Sequence, residues 1–144
     1  MKYQIGTTGR VFVCRLADGE DLLNALIQLA TDEGLNAAIF HVVGGMKGGS
    51  IVVGPETEEM PPKPVYRKLN ESHEVTGMGT IFLREGVPAI HFHGAFGKKD
   101  NVRVGCLRDF SETFLVLEVI VTELVGIDAK RQLDEPSGMY LLQV

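Results

Sequence analysis

Apolar residues fall in short dense runs separated by Gly, Pro and charged turns, and only one long stretch has a different rhythm. Arg10-Val11-Phe12-Val13-Cys14-Arg15-Leu16 has the β-branched and aromatic content of a strand. Beyond Ala17-Asp18-Gly19-Glu20-Asp21 the spacing changes: Leu22, Leu23, Leu26, Ile27, Leu29 and Ala30 recur as on one side of a helix. Asp18 is the expected N-cap, and Gly34 suits a left-handed C-terminal cap.

The rest of the chain predicts mostly strands. Ala37 to Val43 reads as a buried strand, and Ile51 to Val53 resumes one after the glycine-rich Gly44 to Ser50. Gly54 to Pro64, with four prolines and three glutamates, predicts an exposed loop. Val65 to Leu69, Glu74 to Leu83 and Val87 to Phe96 predict a meander, with Arg84-Glu85-Gly86 as a turn. Ser111 is expected to cap a short turn before Phe114 to Leu124, whose apolar density predicts a central strand covered on both faces. A last short strand is expected at Met139 to Leu142. Hairpin-length links imply a largely antiparallel sheet with few helices on it.

At 144 residues, the chain is expected to form one domain over 1–144 with a core that needs no staples. Its 44% hydrophobic and 23% charged residues, with a mean hydropathy of +0.09, are those of a globular protein. No apolar stretch reaches the roughly 18 residues of a membrane span, and the start lacks a secretion signal, so the cytoplasm is the expected location. Cys14 and Cys106 are then expected as reduced thiols. A net charge of −5 repels polyanions, and the absence of tryptophan leaves few stacking platforms. Direct binding to DNA is not expected.

The glycines from Gly44 to Gly49 do not form a phosphate loop, because Lys47 precedes Gly48 and a strand pattern follows. A glycine hairpin or a bulge allowing close backbone approach is expected there. His91-Phe92-His93 is the sharpest chemical signal: in a strand both imidazoles emerge on one face and Phe92 on the other. If Gly97 pairs with Val102 across the polar loop Lys98 to Asn101, His93 lies opposite Cys106, within reach of a shared ion. Two nitrogens and a soft sulfur favour zinc or another divalent transition metal, with a vacant fourth position. A one-residue slip would put Cys106 on the wrong face. The alternatives are ordinary half-buried histidines or a Cys106–His93 thiol-imidazole dyad. His73 and Glu74 are candidates to complete the sphere or to act as a base on bound water. His41 is expected as a packed, hydrogen-bonded histidine, and Arg15 and Arg131 as members of ion pairs.

In order and spacing, these segments resemble the plant-and-prokaryote conserved (PPC) domain over nearly the whole chain. The likeness rests on Arg15-Leu16 followed by Gly19-Glu20-Asp21-Leu22, Ala37-Ala38 leading into Gly44-Gly45, Ser72-His73-Glu74-Val75 before Gly79, and Ile90-His91-Phe92-His93. Arg131, Asp134 and Gly138 continue the pattern. The resemblance implies an α+β fold, with a largely antiparallel sheet flanked by helices, and a homotrimer. It also implies metal binding, because prokaryotic members carry Gly-Gly-His-Leu where this chain has Val104-Gly105-Cys106-Leu107, a cysteine at the third histidine position. The family's DNA-binding label comes from plant proteins with an AT-hook, and this chain has no Arg-Gly-Arg-Pro hook. The expected function is a trimeric metal-binding module of unknown activity, with His91, His93 and Cys106 as ligands. The alternative is a metal-dependent hydrolase of a small substrate, with His73 or Glu74 as base.

Overall fold

A computed structural model describes all residues from Met1 to Val144. The elements are β1 (Thr7–Ala17), α1 (Leu22–Asp32), β2 (Ala37–Met46), β3 (Gly49–Pro55), β4 (Pro64–Leu69), β5 (His73–Arg84), β6 (Val87–Lys98), β7 (Asn101–Arg108), β8 (Thr113–Val125), β9 (Lys130–Asp134) and β10 (Met139–Gln143). This corrects the expected α+β class with flanking helices: the fold is a mostly antiparallel β-sheet with one short helix. The physical reason lies in the pattern itself, since only Leu22 to Ala30 sustains a helical period and the other apolar runs are strand-forming.

The sheet runs β1-β8-β2-β5-β6-β7-β3-β4. β8, late in the chain, inserts between β1 and β2, and all neighbours along this path are antiparallel. β9 runs parallel to β5 at Leu83 and Arg84, just past the last residue that β2 pairs, and β10 pairs with β9. The expected meander is found one strand later in the chain: β5, β6 and β7 are consecutive neighbours, whereas β4 pairs only with β3.

One cluster of 19 buried residues lies between α1 and the inner face of the sheet. Helical spacing puts Leu22, Leu26 and Ala30 on that side of α1, against Phe40, Phe92 and Phe96. The Phe40 and Phe92 rings stack with centroids 5.6 Å apart, and they fit because β5 has glycine beneath them. A Cβ at Gly79 would lie 2.3 Å from Phe40 Cζ.

Asp21, not Asp18, caps α1. Its Oδ1 accepts from Asn24 N, while Ser111 Oγ accepts from Leu23 N and Ser111 O from Leu22 N. Three free N–H groups of the first turn are thereby satisfied. Ser111 is fully buried and serves this helix rather than a turn of its own. Its hydroxyl also donates to Asp21 Oδ2, at 3.0 Å. Asp18 is committed elsewhere: it accepts from Leu115 N and pairs with Lys47 Nζ. At the other end, Gly34 at φ 64° ends the helix, with Leu35 N donating to Ala30 O and Gly34 N to Thr31 O, as in a Schellman motif.

At Gly44 and Gly45 the β2–β8 register shifts: Gly44 pairs with Leu117 and Gly45 with Phe114, so the bulge is Leu115-Val116 on β8, opposite the two glycines. A Cβ at Gly44 would meet Val116 O at 2.3 Å, which explains the need for glycine. They do not form a hairpin, because β2 and β3 are not neighbours. β8 is central as expected but covered on one face only: Leu117, Val119 and Val121 are buried, whereas Ile120 remains exposed. No helix is long and apolar enough to cross a membrane.

Candidate metal centre

Strand alternation places His91 and His93 on the open face of β6 and Phe92 in the core. The turn between β6 and β7 sets the rest. Lys98 pairs with Asn101 and Gly97 with Val102, and this register brings His93 opposite Cys106. The ligating atoms of His91, His93 and Cys106 all lie within 4.8 Å of one another. The two imidazole Nε2 atoms are 3.1 Å apart and the rings meet edge to face. Cys106 is buried, so its sulfur forms the floor beneath two histidines that reach the surface.

The electrostatics keep this cluster ready for a cation in one respect and resistant in another. Partial burial of the His91 ring, with Arg131, His93 and Arg108 nearby, lowers its pKa to about 4. The imidazole is therefore neutral at pH 7, with a lone pair available for an ion. Burial pushes the Cys106 thiol up despite the two arginines, so without a metal it stays protonated and is a poor nucleophile. The thiol-imidazole dyad is disfavoured on that ground. Two imidazole nitrogens and one thiol sulfur, all within reach of a single ion, fit a zinc-like metal by donor chemistry and by spacing.

The structure does not bring His73 or Glu74 to this cluster. Glu74 pairs with Gly97, whereas Met78 pairs with His93, so four strand positions, ~13 Å at strand rise, separate Glu74 from the level of the site. His73 lines a polar surface cleft with Glu71, Lys98 and Arg103 and contacts the Glu71 carbonyl. His41 is exposed on the open face instead of packed, because the strand phase that buries Phe40 and Val42 turns position 41 outward. Neither Arg15 nor Arg131 forms an ion pair. Arg131 instead donates from Nη2 to Thr80 Oγ1 at 2.9 Å, and Thr80 pairs with His91. Nothing local in the sequence signals this neighbour, since it arrives through the long-range pairing of β9 with β5.

Across the open face, one row of paired positions runs Val13, Ile120, His41, Met78, His93 and Cys106, one residue from each of six adjacent strands. The candidate ligands thus continue an exposed, largely apolar row. Val13 is 80% exposed and Met78 52%, values that leave this side of the sheet without cover in one chain.

Two solved structures align over the whole of this chain. A metal-containing protein from Archaeoglobus fulgidus is 28% identical with a TM-score of 0.87, each chain covered completely. A plant- and prokaryote-conserved protein from Pyrococcus horikoshii is 27% identical with a TM-score of 0.87, covering 100% of this chain and 98% of the other. A candidate DNA-binding protein from Ralstonia eutropha shares the fold at 22% identity and a TM-score of 0.78, over 92% of this chain and 90% of its own. No curated protein matches the chain. The model of the Plants and Prokaryotes Conserved (PCC) domain matches residues 3–125, and the chain belongs to that family.

Proposed function

We propose that this protein is a metal-binding module that assembles as a homotrimer and holds one divalent ion, zinc by preference, on His91, His93 and Cys106. The observation that carries the reading is the convergence of one thiol and two imidazoles within 4.8 Å on a strand pair whose register is set by a tight turn. The relative from Archaeoglobus fulgidus, which is described as metal-containing, supports it. Bound ion would be a Lewis acid with room for a further ligand. The chain's own part is to present the neutral His91 imidazole, the His93 ring beside it and a sulfur that gives up its proton when the ion arrives.

Assembly is supported by the uncovered row of apolar side chains, since exposed apolar patches on a sheet mark surfaces that meet a partner. The hydrolase alternative finds no support in the position of Glu74 or His73. Duplex DNA is not a proposed partner: a charge of −5 per chain opposes it, and phosphate neutralisation dominates such binding.

The deciding experiment combines metal analysis with thiol chemistry. Protein prepared without chelator and supplied with zinc should carry one ion per chain, and at alkaline pH, where the metal-free thiol ionises, Cys106 should react with alkylating agents more slowly than after a chelator is added. His93→Ala should lower metal content and expose the thiol together. Absence of stoichiometric metal with a freely reactive Cys106 sinks the metal reading. Light scattering that finds a 15.7 kDa monomer at micromolar concentrations sinks the trimer.

A further inference from the structure

Cations crowd this cluster and no anion answers them. Arg131 reaches Thr80 Oγ1, across the β5–β6 pair from His91. Arg108 lies two residues beyond Cys106 on β7, on the same side of the sheet by strand alternation. Neither arginine is in an ion pair, and the charged side chains acting on both His91 and Cys106 are these two arginines, with no carboxylate beside them. Arg131 Nε is buried without a hydrogen-bond partner. A guanidinium N–H left in this state costs free energy, and such groups in native proteins are normally satisfied by protein, water or ligand. A divalent ion on two neutral imidazoles and one thiolate would carry a net positive charge, and the two guanidiniums add to it.

We propose that Arg131, with Arg108 beside it, holds a small oxyanion, a carboxylate or a phosphate group, against the His91, His93 and Cys106 cluster. This rests on the metal reading for the anion's second contact, an oxygen in the ion's open position. The planar fork of an arginine suits a two-oxygen group, and a charge-assisted pair is among the stronger hydrogen bonds. The anion supplies the negative charge that the chain omits. Small anionic metabolites, not neutral molecules or polyanionic duplexes, are then the ligand class of the module.

The test uses cobalt(II) as the ion, because its visible bands report changes in its coordination sphere, and begins with metal content. Inorganic phosphate and acetate are titrated separately into the cobalt-loaded protein, followed by absorption and by calorimetry. At least one of them should bind saturably and shift the bands; phosphate alone or acetate alone identifies which oxyanion the site takes. Arg131→Gln should weaken that binding by about ten- to a hundredfold with cobalt content unchanged. Arg131→Lys, which keeps the charge but loses the fork, should fall between the two. No binding of either anion, or equal affinity in wild type and Arg131→Gln, overturns the proposal. If the protein takes up no metal, the metal reading has failed, and calorimetry of phosphate on the metal-free chain decides the arginine part alone: binding that disappears in Arg131→Gln sustains it, and no binding overturns it.

Discussion

Within β6, Phe92 and His93 are adjacent in the chain and belong to different problems. Phe92 points into the core, stacks on Phe40 and meets Phe96 edge to face. His93 points out, where its neighbours across the strands are Met78 and Cys106. The covered face is apolar, closed by α1 and filled to the point that β5 can afford only glycine at position 79. The open face carries histidines, arginines and uncovered apolar side chains. Stability and chemistry are thus separated by the two-residue period of a strand, and substitutions one position apart should read out one without the other.

The largest effect is expected from the covered face. Phe92→Ala removes a fully buried ring and should cost about 3 to 5 kcal/mol, read by denaturant unfolding at fixed protein concentration. A loss under about 1 kcal/mol would mean the two faces do not differ as described.

Next comes the cap that seats the helix on that face. Asp21 accepts from Asn24 N and from Ser111, so Asp21→Ala should cost about 1 to 2 kcal/mol and leave the buried Ser111 with fewer partners. Asp18→Ala, at the position favoured by sequence alone, should not cost the helix its cap, and circular dichroism during unfolding separates the two.

On the open face, His91→Ala in the metal-free protein should change stability by no more than about 0.5 kcal/mol, because the side chain reaches the surface and fills no core space. The same substitution should abolish stoichiometric metal uptake. A large loss of metal-free stability would make His91 a packing residue and break the separation.

The smallest effect concerns an ion pair at the sheet margin. Arg10 donates to both oxygens of Glu123 and holds its carboxyl at about 2, below the ordinary 4.5. A lowered carboxyl pKa stabilises the fold above the ordinary value, and that contribution fades as the pH falls from about 4.5 toward 2. The stability gap between wild type and Glu123→Gln should therefore be present at pH 6 and shrink through this window. The pair is at the surface, so the change in melting temperature is expected to be slight. A gap independent of pH would remove the pair from the account.

What could be read from the chain alone was local. A helical period over Leu22 to Ala30, a glycine past its end and a polar turn of fixed length at Lys98 to Asn101 each constrain the backbone within a few residues. The turn is why the pairing of His93 with Cys106 was legible: a hairpin register propagates from its turn, and a period of two assigns the faces. The tertiary structure decided whatever depends on distant segments meeting. Asp18 and Asp21 are both sound caps by composition, and only the arrival of Ser111, 90 residues on, favours Asp21. His41 looked buried within an apolar run, yet strand phase turned it outward, since an apolar run does not reveal whether one face or two is covered. Arg131 reached the neighbourhood of His91 through β9 pairing with β5, a contact spanning 51 residues that no local pattern encodes. Local periodicity fixes which side chains share a face, whereas which faces meet depends on the topology of the whole sheet.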